Sequence, residues 1–398
     1  MTLAEFDLDT LRKKILAAYD SDDTILQKFR EYARRLSGGI KPLRKYSVNA
    51  VSFVASDGGD NRLTFNPATI ELIRVADSRG VECALDVIAG TSGPDELNRR
   101  GIAGNPESLK SLVKLCSDLG KKVSELSYLL GGLGQPGKST GAMRCYRDIV
   151  EWAVLYDLIC DTSLQWGGDT ILVREGLLRT KSFKRSLFPQ IDRNIREGFV
   201  RHSAKGVQLS IVGVAKQSAV LSRLAVALEL EGTFHKAYPC YVEVPNEVEA
   251  DCYNYDLTWL DSYESLQAKE EEKADEAGSP ESPQRLYQSM GKMFLVKFGD
   301  RALDPVWPVD IASWQTGDAE RILGQLTLDA QQGFPIPDFP MCIQKAHTFA
   351  SLTGLEVRIL QDALIQGISS KLTPEEAERL LRFDYLGRSL AALRYKVA

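Results

Sequence analysis

The feature that most constrains this chain is where its apolar periodicity switches between helical and strand spacing. Leu11, Ile15, Leu16, Tyr19, Ile25, Phe29, Tyr32 and Leu36 recur at helical spacing until Ser37-Gly38-Gly39 breaks the pattern. Three short β-rich runs follow, Asn49–Ala55, Ala68–Ala76 and Val81–Ala89. The turn signals DGGDNR and DSRG separate them, which predicts a three-strand meander. Helical patterns at 106–130 and 142–161 lead to a β-rich run at 169–174. A basic stretch at 179–203 then reads as one or two helices, and Val207–Ala215 as a buried strand. Strand-like pieces at 238–244 and 292–298 precede helices at 318–333 and 339–365, with no internal repeat. An antiparallel start followed by helix-separated strands predicts an α/β fold, a mixed β-sheet flanked by helices.

Composition narrows the chemistry. No run approaches the roughly 18 apolar residues that span a bilayer, and MTLAEFDLDTLRKK lacks the basic and apolar regions of a secretory signal. Seven scattered cysteines, none spaced C-x-x-C, suit reduced thiols in a cytoplasm and argue against a cysteine zinc site. With only His202, His235 and His347, any metal is expected to be a hard cation on oxygen ligands. The net charge of -5 hides local patches: Arg179 to Lys205 holds eight Lys/Arg against two acids, a candidate phosphate-contacting face. Arg179, Lys181, Lys184 and Arg185 are its leading DNA-contact candidates. Residues 261–286 are acidic and too poor in apolar side chains to fold alone.

Acids at strand ends carry the functional reading. VSFVASDGGD drives an apolar run into Asp57, with glycines that permit a sharp turn beside a ligand. ILVREGLL does the same with Glu175, and VQLSIVGVA ends beside Lys216. Glu151 lies among Ile149, Val150, Trp152 and Ala153 of an amphipathic helix, and His347 within IQKAHTFA. Each has an ordinary reading as a turn, boundary or solvated residue. Their order, however, reproduces a ribonuclease-H-like arrangement: an acid on the first strand, a helix glutamate, an acid ending the fourth strand, and a late helix with His. Such oxygen ligands suit two divalent cations about 3.5–4 Å apart, one activating water and the other stabilising the leaving oxygen.

These segments together resemble the NurA family of DNA-end-processing nucleases. The matching pieces are SDGGD, MRCYRDIVEWA, ILVREGLL, IVGVAKQS and FPMCIQKAH, in order over roughly residues 48–350. The resemblance implies a ribonuclease-H-like fold, a ring-shaped homodimer, Mn²⁺- or Mg²⁺-dependent cleavage of DNA, and a HerA-type hexameric ATPase as partner. It implies Asp57, Glu151 and Glu175 as metal ligands, His347 as a ligand or helper at the scissile phosphate, and Lys216 as a phosphate contact. It divides the chain into an N-terminal helical or dimerisation region (1–46), a nuclease domain (47–365) and a helical tail (366–398). Glu175 stands where the family pattern has Asp, and Phe339 where it has Tyr; these departures keep a non-catalytic scaffold open as an alternative. A third reading comes from GLGQPGKS at 132–139, which satisfies the P-loop pattern with Gly137, Lys138 and Ser139 at its phosphate-binding end.

Overall fold

The computed structural model describes residues 8–20, 23–46, 52–58, 61–65, 68–100, 102, 107–135, 138–254 and 288–379; at Asp57 it describes the backbone alone. Among these residues a ten-stranded mixed sheet forms the centre. Its strands are β1 (Lys41–Pro42), β2 (Ser52–Gly58), β3 (Asn61–Phe65), β4 (Ala68–Asp77), β5 (Glu82–Ala89), β6 (Thr170–Glu175), β8 (Leu209–Val214), β9 (Cys240–Glu243), β11 (Gly291–Lys297) and β12 (Val306–Ala312). The short strands β7 (Arg179–Thr180) and β10 (Gln288–Ser289) pair with each other outside it. The sheet order is β1-β9-β11-β12-β8-β6-β2-β4-β3, with β5 on the other edge of β4. β2, β6 and β8 run parallel, and the remaining pairs are antiparallel.

The helices are α1 (Leu8–Asp20), α2 (Asp23–Gly38), α3 (Pro94–Arg100), α4 (Lys110–Leu119), α5 (Ser139–Cys160), α6 (Phe188–Ala204), α7 (Ala219–Leu230), α8 (Asn246–Asn254), α9 (Ala319–Ala330), α10 (Met341–Ala350) and α11 (Gly354–Ser369). Strand alternation sorts them into two layers. Leu172 of β6 and Ile211 of β8 pack with α4, α5 and α6, while Ile171, Val173, Val212 and Val214 pack with α9 and α10. At the far end Met293 and Leu295 of β11 meet α2, α7 and α8, and the intervening Phe294 joins the α9–α10 side. The helix α2, through Phe29, Ala33 and Leu36, and the strand β1 are therefore built into the same body as the sheet. No helix among the described residues is long and apolar enough to cross a membrane.

Several boundaries differ from the sequence reading, each for a local reason. DGGDNR does not join two mutually paired strands among the described residues, and Gly59 and Asp60 within it lie outside them. Asp57 lies opposite Ala76 and Asn61 opposite Leu72, so β2 and β3 follow one register along a single edge of β4. Gly and Asp are turn signals by local preference alone, and here the ten-residue strand β4 receives the residues on both sides. The helix expected at 106–130 shrinks to α4. Gly120, with φ +62°, closes it by donating to Cys116 and Ser117 carbonyls, and 3₁₀ turns follow. The helix expected at 339–365 is two. Thr353 caps α11 by accepting from the Glu356 N–H, while the Glu356 carboxylate accepts from Thr353 N–H. Residues 261–286 lie outside the described residues, as do the tail positions 380–398.

Candidate functional site

The three parallel strands run into one end of the sheet, where their backbone register sets up a row. Ser56, Arg174 and Gly213 are mutual partners across β2, β6 and β8, and Glu175 pairs with Val214 one step further on. Asp57 is the residue after Ser56, so its backbone occupies the position beside Glu175. Lys216 follows two residues after Val214 and places its ammonium 2.7 Å from Glu175 Oε1. Lys216 also lies over the ring of Phe339, 5.8 Å from its centroid, and Phe339 packs edge-on against Trp307. The Phe339 side chain is fully buried and supplies an apolar floor where a tyrosine hydroxyl was expected.

Alternation along β6 decides which acids can meet. Ile171 and Val173 face α9 and α10, as Glu175 does through Lys216, whereas Leu172 and Arg174 face α5. Glu151, on α5, belongs to the second set. Its carboxylate lies 3.5 Å from Arg174 Nη2 and 3.6 Å from Arg147 Nε. Arg147 also approaches the buried Glu71 at 3.7 Å, and Arg174 Nη2 donates to Asp148 Oδ1 at 2.6 Å. The sheet therefore stands between Glu151 and Glu175. His347 sits exposed on α10, the helix packed across β2, β4 and β6 on the Glu175 side, with Nε2 3.4 Å from Ser351 Oγ.

Hard oxygen donors at the ends of β2 and β6 fit Mg²⁺ or Mn²⁺ in kind. Among the described side chains, which do not include that of Asp57, no three His, Cys, Asp or Glu groups gather around a common point. Glu151 is engaged with two guanidinium groups, those of Arg147 and Arg174. Sequence reasoning missed Arg174, Asp148 and Glu71. The signal was available, since a charge inside the apolar run TILVRE has to find a partner when the strand is buried.

The basic stretch is less available to phosphate than its composition suggests. Arg179 is a correction: its guanidinium is 7% exposed and forks onto Asp310 at 2.6 and 2.8 Å, with Glu249 at 2.6 Å. Burial works against that charge, but Asp310 and Glu249 outweigh it and hold the guanidinium more firmly protonated than usual. Lys184 lies 4.4 Å from the Tyr128 ring centroid, and burial lowers its pKa. Lys181 and Arg185 are partly exposed. On α6, Arg196 and Arg201 pair with Asp192 and Glu197 one turn earlier. The P-loop reading is also corrected. The segment before Lys138 is a 3₁₀ turn, Leu129–Gly132, where a P-loop needs a strand. Lys138 precedes α5 as its N-cap residue, and Ser139 Oγ donates to the Gln135 carbonyl; Gly137 lies outside the described residues.

Sheet and site together define a mixed α/β protein with an acid–lysine cluster at the carboxyl ends of its parallel strands. Solved structures of NurA nucleases are similar to it over most of its length. The NurA nuclease from Sulfolobus solfataricus matches at 10% identity and a TM-score of 0.38, covering 92% of this chain and 98% of that one. NurA bound to dAMP and manganese matches at 13% identity and a TM-score of 0.37, covering 95% and 99%. NurA with manganese matches at 13% identity and a TM-score of 0.34, covering 88% and 98%. At these values the likeness assigns no residue a role. No family model matches the chain, and no curated protein does.

Proposed function

We propose that this chain is a divalent-metal-dependent deoxyribonuclease whose site lies at the carboxyl ends of β2, β6 and β8. One observation carries the reading: three neighbouring parallel strands end at Asp57, Glu175 and, just beyond β8, Lys216, the place where open α/β sheets bind ligands. Asp57 and Glu175 would hold the ion, with His347 approaching from α10. When bound, Mn²⁺ or Mg²⁺ supplies an acidified water and neutralises charge on phosphoryl oxygens. Lys216 then exchanges its carboxylate partner for a non-bridging phosphate oxygen. Its half-exposed ammonium can reach solvent and Glu175 alike. The buried Phe339 ring beneath it lowers the local dielectric, which strengthens that contact.

The ribonuclease-H-like description of the sheet, the two-ion form of the reaction, a homodimer and a HerA-type hexameric ATPase partner in DNA end processing or phage defence extend the same proposal. They are supported by the order of the five sequence motifs. So are the boundaries at 46 and 365, while the scattered cysteines, suited to reduced thiols, support a cytoplasmic location. A scaffold that docks a translocase without cutting DNA is the second reading. It is favoured by the closed Glu175–Lys216 pair and by the engagement of Glu151 with Arg174.

Cleavage of linear DNA by the full-length protein in Mn²⁺ separates the two. Asp57→Ala and Glu175→Gln are each expected to lower the rate by at least about a hundredfold. Wild-type protein that never cuts, or variants that cut at its rate, would sink the nuclease reading.

A further inference from the structure

The residue that sets where Glu175 stands is its neighbour. Arg174 is 7% exposed and faces α5, and a guanidinium so placed needs compensation from several sides. Asp148 Oδ1 accepts from Nη2 at 2.6 Å, Glu151 Oε2 lies at 3.5 Å, and the Trp152 ring lies under the charge at 4.9 Å. All three belong to α5. From the same guanidinium Nη1 reaches past Glu175 and donates to the Leu177 carbonyl at 3.1 Å. The turn between is closed tightly over it. Gly176 has φ +95°, and a Cβ there would fall 2.6 Å from Nη1. Gly176 N–H donates to the Val214 carbonyl at 2.9 Å, so the turn is fixed to β8 as well.

We infer that Arg174 is a positioning residue for Glu175, with Asp148 and Glu151 as the counter-ions that hold it, so that Glu151 serves the site through this guanidinium and not as a metal ligand. For the role of Glu175 this rests on the nuclease reading above. The contacts run in one chain: α5 fixes the guanidinium, the guanidinium fixes the Leu177 carbonyl, and the turn fixes the backbone of Glu175. Groups that stand behind a metal ligand typically change affinity or rate by about 10–100-fold when removed.

The test uses the full-length protein and three readouts: Mn²⁺ affinity by calorimetry, cleavage kinetics across a Mn²⁺ titration, and hydrogen exchange of the peptide 174–178. Glu175→Gln is expected to lose Mn²⁺ binding, and Glu151→Gln to weaken it far less, by under about tenfold. Arg174→Lys should lower kcat and raise the Mn²⁺ needed for half-activation by about 10–100-fold. KM for DNA should stay within about twofold, while exchange at 174–178 accelerates. The inference is overturned if Glu151→Gln removes Mn²⁺ binding as completely as Glu175→Gln does. It is equally overturned if Arg174→Lys keeps the wild-type kcat, Mn²⁺ requirement and exchange. If Arg174→Lys does not fold, Gly176→Ala crowds the same guanidinium and takes its place. Wild-type protein with neither Mn²⁺ affinity nor cleavage is a different failure, that of the nuclease reading; hydrogen exchange then still decides whether Arg174 holds the turn.

Discussion

Arg179 shows how a buried charge becomes structural. It joins β7 to Asp310 of β12 and Glu249 of α8, three elements far apart in sequence. Removing one member of such a group leaves the others charged and desolvated, at a cost of about 3–5 kcal/mol. Arg179→Ala is therefore expected to lower the unfolding free energy by that amount in urea titrations. DNA affinity of the remaining folded protein should change little; a large affinity loss at unchanged stability would return Arg179 to the phosphate-contacting set. Nothing in the sequence separated Arg179 from Lys181 or Arg185, because the acids that claim it lie about 70 and 131 residues away. Arg174 is the opposite case. Its apolar neighbours Leu172 and Val173 already mark the strand as buried, so its need for a partner could be read, though not the partner's identity.

At the scale of elements, α2 is held to α7 and α8 by polar contacts at its rim. Arg30 and Arg34 reach Glu231 at 2.6 and 2.9 Å, while Lys28 and the Tyr32 hydroxyl bond to Asp251. Hydrogen bonds from Arg34 and then Arg30 lower the Glu231 pKa, and those from Lys28 and Tyr32 lower that of Asp251. A carboxyl depressed in the folded state adds stability above its unfolded pKa and loses it as the pH falls through the folded value. The docking of α2 should thus be intact at neutral pH and weaken below about pH 4. Hydrogen exchange over residues 23–38 between pH 7 and 3 checks this; flat protection across that range would contradict it. The helices and strands themselves were largely legible, since apolar period alone marks α2, β4, β6 and β8. The side of the sheet that each helix covers was not, because a period gives a helix its apolar stripe without saying which face receives it.

For the molecule as a whole, the 3₁₀ turn ahead of Lys138 removes the strand that a phosphate-cradling loop would hang from. ATP hydrolysis by the chain alone is expected to be absent, and Lys138→Ala to change nothing in a phosphate-release assay. Activity abolished by that substitution would restore the nucleotide reading.

The alternation of Arg174 and Glu175 also works as a proofreading device for assembly. Two adjacent residues of opposite sign sit between an acidic face, lined by Asp148, Glu151 and Glu71, and a basic one at Lys216. A one-residue slip of β6 changes the face of every side chain. In one direction it would set Glu175 in the place of Arg174, among three carboxylates; in the other it would set Arg174 in the place of Glu175, against an ammonium. Either wrong register thus meets a like charge, and the strand that carries the candidate catalytic acid checks its own alignment as it pairs.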